Sequence, residues 1–135
     1  MNILIADDEE AVRRMLEEAL ATLPDTVVQS AQDGAEAWWW LSSPVDRYSL
    51  VVLDIKMPRV DGFAVLERMR QTNRLKNVPV IMCSGHTERP AIGKAALLGV
   101  NHYLMKPFNP SALVQKAKEL IFAATSQYRP AAAVV

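Results

Sequence analysis

The sequence has little of what three large classes of protein require. Its 135 residues include a single cysteine, Cys83, so no internal disulfide can form, and no zinc-binding spacing surrounds it. No apolar run approaches the roughly 20 residues of a membrane-spanning helix. The 15 basic and 15 acidic side chains leave no net charge, whereas nucleic acids and membrane surfaces bind proteins with a basic surplus. We therefore expect neither nucleic acid nor membrane among the partners.

The composition is typical of one domain from a reducing compartment. Half of the residues are hydrophobic (50%), which suffices for one packed core at this length. The sequence reaches acidic residues by Asp7, after an apolar run too short for a signal peptide. Together with the single cysteine, this favours a cytoplasmic protein.

Short apolar runs alternate with segments of helical periodicity, and this alternation predicts an α/β fold. The runs that resemble strands cover residues 3–6, 27–28, 50–53, 78–82 and 103–105. The third and fourth are apolar almost throughout, as expected for strands buried on both faces of a parallel sheet. Five strand–helix units predict right-handed crossovers in an α/β sandwich.

Capping residues mark the starts of several predicted helices. Asp33 with Glu36 resembles a capping box, Asp61 precedes a helix, and Asn109 with Pro110 forms a cap and first turn. The fourth helix, about residues 90–98, is interrupted by a glycine. Periodicity is lost near the C-terminus, so we expect one domain over residues 1–125 and a frayed tail or linker stump over 126–135.

Polar side chains stand where four of the apolar runs end. Asp7 and Asp8 follow the first run, Asp54 the third, Ser84 the fourth and Lys106 the fifth. Ligands of open parallel sheets bind beyond the carboxyl ends of the strands, where the strand order reverses. We therefore expect three carboxylates, a hydroxyl and an ammonium to meet in one crevice.

The charges of this crevice indicate what it binds. Three carboxylates repel one another, which raises a pKa unless a cation lies among them. Mg²⁺ prefers a few carboxylates together with phosphate oxygens. Lys106 supplies a point charge for an anion. A metal, a carboxylate nucleophile and a lysine together indicate phosphoryl transfer onto an aspartate.

The polar strand ends also belong to longer motifs with fixed spacing. The motifs are Asp7-Asp8, LDIKMP at 53–58 followed by Asp61-Gly62, Ser84-Gly85, and YLMKPF at 103–108. In these motifs the chain resembles the receiver domains of two-component response regulators, the CheY-like family, over about residues 2–123. The resemblance implies a flavodoxin-like, doubly wound sheet of five parallel strands in the order 2-1-3-4-5, with five helices.

The resemblance implies a role for each residue that matches a family motif. Asp54 would be the phosphoacceptor, charged by a histidine kinase, a histidine phosphotransfer protein or a small phosphodonor. Asp8, Asp54 and the backbone carbonyl of Lys56 would ligate Mg²⁺, and Asp7 would act through a water molecule. Lys106 would hold a phosphoryl oxygen. The protein would catalyse only its own phosphorylation and dephosphorylation, so it is expected not to be an enzyme.

The resemblance also implies a conformational switch that a downstream effector protein reads. Ser84 would move to bind the phosphoryl group, and Tyr103 would swing inward behind it. The change would reach the surface made by the fourth helix, fifth strand and fifth helix. The Lys106–Pro107 peptide bond would be cis. Lys56 and His86 occupy the positions that tune the lifetime of the phosphoryl group, although for His86 we favour a solvated loop residue over a proton donor.

Three consecutive tryptophans, Trp38 to Trp40, are not explained by the resemblance. Helical periodicity allows a core face centred on Trp38 or on Trp40, and in both cases Trp39 points away from the core. Trp39 is then either an isolated surface aromatic or a contact for a partner.

Other functions share parts of this pattern. A Mg²⁺-dependent phosphohydrolase with an aspartyl-phosphate intermediate would place its nucleophile on the first strand, with a second aspartate two residues later; here Glu9 stands in that position. A flavodoxin-like nucleotide-binding protein would need a phosphate-binding loop after the first strand, where this chain is acidic. The chain is also compatible with a receiver domain excised from a larger regulator or hybrid kinase.

Overall fold

The computed structural model describes residues 1–85, 92–100 and 102–126, and strands alternate with helices throughout. His86 and residues 127–135 of the predicted tail lie outside these ranges. The strands are β1 (Asn2–Ala6), β2 (Val27–Ala31), β3 (Leu50–Asp54), β4 (Val80–Ser84) and β5 (Tyr103–Met105). The helices are α1 (Glu10–Leu20), α2 (Gly34–Leu41), α3 (Gly62–Arg70), α4 (Ile92–Leu97) and α5 (Pro110–Ser126).

The five strands form one parallel sheet in the order β2-β1-β3-β4-β5, which confirms the predicted doubly wound fold. The chain moves outward from β1 to β2 on one side, then returns to place β3, β4 and β5 on the other. The order therefore reverses between β1 and β3, which pair directly, with Ala6 opposite Leu53. A crevice is expected at the carboxyl ends of these two strands.

The core lies on both faces of the sheet, because alternate side chains of each strand point to opposite sides. Leu53 belongs to the layer beneath α2 and α3, and Val52 belongs to the layer beneath α1 and α5. All five residues of β3 are buried, and the burial of residues 50–53 was predicted from their continuous apolar character. The helices bury their predicted faces, for example Leu66 on α3 and Leu113 on α5.

The helix starts follow the predicted caps. Asp33 accepts a hydrogen bond from the Glu36 amide at 2.8 Å, and Glu36 accepts one in return from the amide of Gln32, one residue before the cap. Asp61 and Asn109 cap α3 and α5 through their side-chain oxygens. These contacts satisfy amides that a helix start otherwise leaves without partners.

β4 begins later, and α4 ends earlier, than the sequence predicts. β4 begins at Val80 although the apolar run starts at residue 78, because Pro79 has no amide proton and pairs only through its carbonyl, which accepts from Val51 at 3.0 Å. α4 ends at Leu97, and Gly99 follows it with a φ of +80°, the left-handed conformation that commonly terminates a helix.

The first residue of α2 has no room for a side chain. A Cβ atom on Gly34 would lie 2.0 Å from the carbonyl oxygen of Val60, which is backbone and cannot turn away. Gly34→Ala is therefore expected to lower the free energy of unfolding by about 2 kcal/mol, measured by urea denaturation.

Gly93 provides the matched control for this substitution, because a Cβ atom there would meet no atom within 4 Å. Gly93→Ala is expected to raise stability by about 0.5 kcal/mol, since alanine has the higher helix propensity. Equal effects at the two sites would contradict the close packing of Gly34.

Candidate functional site

Asp7, Asp8 and Asp54 form a cluster of carboxylates at the carboxyl ends of β1 and β3, and we call this group the carboxylate cluster. One oxygen from each residue lies within 4.8 Å of the others. Asp7 is fully buried and Asp54 nearly so, while Asp8 is exposed. The pairing of β1 with β3 produces this arrangement, because adjacent parallel strands end side by side. The predicted convergence of the three acids is therefore confirmed.

Lys106 follows β5 and reaches the carboxylate cluster across the end of β4. Its Nζ lies 2.8 Å from Asp7 Oδ2, 3.2 Å from Asp54 Oδ2 and 3.6 Å from Glu9 Oε1. Burial lowers the pKa of Lys106, but hydrogen bonds and charges from Asp7 and Asp54 outweigh this, so the net change is upward and the ammonium is charged. The Lys106–Pro107 peptide bond is cis, as predicted.

The carboxylate cluster remains short of positive charge despite Lys106. Burial and the negative charge of Asp7 raise the pKa of Asp54 to about 7, even though Lys106 opposes the change. The buried Asp7 Oδ2 has no hydrogen-bond donor in the described part of the chain apart from the Lys106 ammonium. One ammonium among three carboxylates leaves two negative charges unbalanced, and a divalent cation carries two positive charges.

This donor set fits Mg²⁺. Magnesium is bound in proteins by one or two carboxylates and retains several waters, and the exposed side of Asp8 leaves the carboxylate cluster open to solvent. Lys56 lies in the loop between β3 and α3, two residues after Asp54, and its side chain is exposed.

The two predicted switch residues make hydrogen bonds to their own neighbourhood. Ser84 is buried at the end of β4, and its Oγ donates to Met105 Sδ at 3.4 Å. The hydroxyl of Tyr103 donates to the carbonyl of Val100 at 3.0 Å, and its partly buried ring packs against the core. A thioether is a weak acceptor, so the Ser84 hydroxyl is held by a weak bond.

Trp39 points away from the core, as its position in α2 predicts. It is 67% exposed, and its ring meets that of Trp40 edge to face at 4.8 Å between centroids. The sequence allowed either Trp38 or Trp40 to face the core. In the structure both side chains are partly buried and pack against it.

Three residues near the site are not among those predicted from the sequence. Glu9 lies within 3.6 Å of the Lys106 ammonium, Met105 accepts from Ser84, and Arg13 donates to the backbone carbonyl of Asp7 at 2.8 Å. The run of four acids at 7–10 was a signal for Glu9. Met105 and Arg13 carry no such signal, since each resembles an ordinary strand or helix residue.

The comparisons with known proteins agree with this geometry. A family model described as the response regulator receiver domain matches residues 3–118. The chain belongs to this family. The chemotaxis protein CheY of Pseudomonas aeruginosa is 36% identical over 120 residues, which cover 89% of this chain and 95% of that protein. CheY1 of Helicobacter pylori is 31% identical over 121 residues, which cover 90% of this chain and 97% of that protein.

Solved receiver domains have the same fold. The receiver domain of the Francisella response regulator 1452 matches with a TM-score of 0.78 at 26% identity, covering 90% of this chain and 97% of that one. CheY4 of Vibrio cholerae matches with a TM-score of 0.78 at 26% identity, covering 88% and 97%. The chain is thus a CheY-like receiver domain of two-component signalling.

Family membership establishes several general properties. Receiver domains are signalling proteins that are not generally classed as enzymes, and they bind Mg²⁺ at an acidic pocket, to which the carboxylate cluster corresponds. They interact with histidine kinases and downstream effectors. Within the described ranges, every helix is too short or too polar to span a bilayer.

Proposed function

We propose that this receiver domain is a phosphoacceptor switch in which Asp54 receives a phosphoryl group from a histidine kinase or a histidine phosphotransfer protein. The observation that carries the proposal is the position of Asp54. It is almost fully buried at the end of β3, and its Oδ2 lies 3.2 Å from the Lys106 ammonium. It belongs to the carboxylate cluster together with Asp7 and Asp8. We place this domain over residues 1–125 and expect it to act in the cytoplasm.

The transfer requires an ionised nucleophile and a charge-compensated phosphoryl group. An oxygen of Asp54 would attack the phosphorus of a phosphohistidine, a P–O bond would form, and the P–N electron pair would return to the imidazole. Lys106 lies close enough to Asp54 to hold an oxygen of the transferred group. Asp8, Asp54 and the Lys56 backbone carbonyl would hold Mg²⁺, with Asp7 acting through water. When bound, the ion would neutralise negative charge on the phosphoryl oxygens.

The conformational response follows from the hydrogen bond that Ser84 makes without a phosphoryl group. A phosphoryl oxygen is a much stronger acceptor than the Met105 thioether, so the hydroxyl gains by moving toward phosphorylated Asp54. A ligand shifts an equilibrium only by its different affinity for the two states, and this exchange provides such a difference. Tyr103, on the strand beside Ser84, would carry the change to the surface of α4, β5 and α5.

Incubation with Mg²⁺ and acetyl phosphate tests the proposed function. We expect one phosphoryl group per chain, located on Asp54, and no labelling after the metal is removed with a chelator. Multiple turnover of a phosphate ester would instead indicate the phosphohydrolase, and nucleotide or flavin binding without labelling would indicate a flavodoxin-like protein. Either result would overturn the proposal.

Ser84→Ala is expected to separate phosphorylation from the response. Asp54 should still be labelled to completion, because the serine takes no part in bond formation. The phosphorylation-dependent shifts of the Tyr103 and Leu104 amide signals in NMR spectra should largely disappear, since the hydroxyl that senses the phosphoryl group is gone.

Ser49→Ala is the control for this variant, because Ser49 lies at the opposite end of the sheet, before β3. It should label and respond as the unmodified protein does. Full amide shifts in Ser84→Ala would show that Ser84 is not the sensor.

A further inference from the structure

The loop between β3 and α3, residues 55–61, directly follows the proposed phosphoacceptor Asp54. It contains Lys56, whose backbone carbonyl is the proposed Mg²⁺ ligand. Its two ends are fastened together, because the Gly62 amide donates to the Ile55 carbonyl at 2.9 Å. A Cβ atom on Gly62 would lie 2.2 Å from the carbonyl oxygen of Asp54. The loop is thus closed against the end of β3, and the segment between these contacts, residues 56–61, includes the Lys56 backbone.

The middle of the loop contains a γ-turn in an unfavourable form. The Val60 amide donates to the Pro58 carbonyl at 2.8 Å, and Arg59 between them has a φ of +67°. A γ-turn with positive φ at its central residue is rare and strained, and a residue with a Cβ atom disfavours this region. Such a conformation persists only where the surrounding structure holds it.

The side chain of Arg59 is tied to the start of α2. Its Nε donates to Asp33 Oδ2 at 3.0 Å, and its Nη2 donates to the same oxygen. The Asp33 side chain is 5% exposed, and its other oxygen accepts from the Glu36 amide. Burial raises the pKa of Asp33, but the Glu36 amide and the Arg59 guanidinium outweigh it and lower that pKa, so the carboxylate is charged at neutral pH.

Backbone packing holds the next residue against the same helix. Gly34, the first residue of α2, approaches Val60 so closely that a Cβ atom would lie 2.0 Å from the Val60 carbonyl oxygen. Arg59 and Val60 are therefore fixed to α2 by one charged contact and one backbone contact. α2 carries no member of the carboxylate cluster, yet it restrains the loop that follows Asp54.

We propose that the Arg59–Asp33 ion pair, here called the latch, is a positioning device that keeps the β3–α3 loop in the conformation that accepts Mg²⁺. This inference rests on the proposed function of the carboxylate cluster. Without the latch, the strained turn at Arg59 relaxes and the loop populates other conformations. The apparent affinity for the ion then falls in proportion to the competent fraction.

Magnesium titration by calorimetry tests the latch. Asp33→Asn removes the charge but keeps the helix cap, since asparagine caps as well as aspartate. Arg59→Ala removes the guanidinium but keeps a Cβ atom, so a positive φ remains as unfavourable at this position as it is for arginine. Each variant is expected to weaken Mg²⁺ binding about 10-fold. The double variant should weaken binding no more than either single variant does, because both remove the same ion pair. Arg59→Lys should weaken binding less than Arg59→Ala.

Arg14→Ala is the matched control, because it also deletes an arginine and its ion pair, with Glu10 at 3.0 Å, on an exposed helix surface. It should leave the Mg²⁺ affinity unchanged. A second measurement needs no metal: the Val60 and Gly62 amides should exchange hydrogen faster in Asp33→Asn and Arg59→Ala than in the control.

The outcomes separate the latch from the proposed function. If the unmodified protein binds Mg²⁺ and all variants bind it equally well, the latch is wrong and the carboxylate cluster stands. Lower urea stability with unchanged affinity and amide exchange would also overturn the latch, since the pair would only stabilise the fold. If the unmodified protein does not bind Mg²⁺, both the latch and the proposed function of the carboxylate cluster are refuted.

Discussion

Asp54→Asn is expected to abolish phosphoryl labelling by acetyl phosphate and Mg²⁺, because the amide has nearly the shape of the carboxylate but no nucleophilic anionic oxygen. The side chain is buried in a pocket that already contains Asp7 and Lys106, so the substitution should preserve the fold. Intact-mass spectrometry would show the unmodified protein gaining one phosphoryl group and the variant gaining none.

Asp61→Asn is the matched control for this substitution. Asp61 is exposed at the other end of the same loop, where it caps α3, and asparagine is an equally good cap. This variant should be labelled as completely as the unmodified protein. Full labelling of Asp54→Asn would instead assign the phosphoacceptor to another side chain.

The same variant should change how stability depends on pH. The pKa of Asp54 is raised to about 7 in the folded protein, against about 4 for an unperturbed aspartate. The folded state therefore holds the proton more tightly, so metal-free stability falls as the pH rises between these values. Urea denaturation across that range should show a shallower fall in Asp54→Asn than in the unmodified protein.

Lys106→Met is expected to destabilise the metal-free protein by about 3 kcal/mol, the low end of the range for removing one partner of a buried ion pair. The low end applies because the Lys106 side chain keeps 19% of its surface exposed. Asp7 and Asp54 would be left without their cation. Mg²⁺ at about 100 times its dissociation constant should restore about 2.7 kcal/mol. Urea denaturation with and without the metal measures both effects.

Lys118→Met controls for the loss of a lysine, because Lys118 is exposed on α5. It should change stability little and should not alter the response to Mg²⁺. If Lys106→Met were as stable as this control, the ammonium would not be balancing the charge of the carboxylate cluster.

The fold was readable from the sequence to the extent that local patterns encode it. The continuous apolar run of β3 predicted a strand buried on both faces, and Asp33, Asp61 and Asn109 predicted three helix starts. The sequence could not predict which of Trp38 and Trp40 lies on the buried face of α2. Helical periodicity places the two residues almost equally far from the centre of that face. The packing of both rings against the core depends on the neighbouring helix, on which Arg68 lies over Trp38.

The site was readable where its residues stand at strand ends. Asp7, Asp54 and Lys106 could be expected to meet, since parallel strands end at one edge of the sheet. The latch was not readable, because Asp33 and Arg59 are 26 residues apart and each has an ordinary role by itself, one as a helix cap and the other as a loop residue.

The sequence by itself determined the strand order, through the resemblance of its motifs to a known family. It also determined which polar groups stand at the strand ends, through the pattern of apolar runs. Both are properties of residue type and spacing along the chain. The tertiary structure alone decided which atoms touch: the Lys106 ammonium crosses β4 to reach Asp7 and Asp54, the Ser84 hydroxyl meets Met105, and Arg59 reaches α2. These contacts depend on side-chain rotamers and loop conformations that are selected when distant segments pack together.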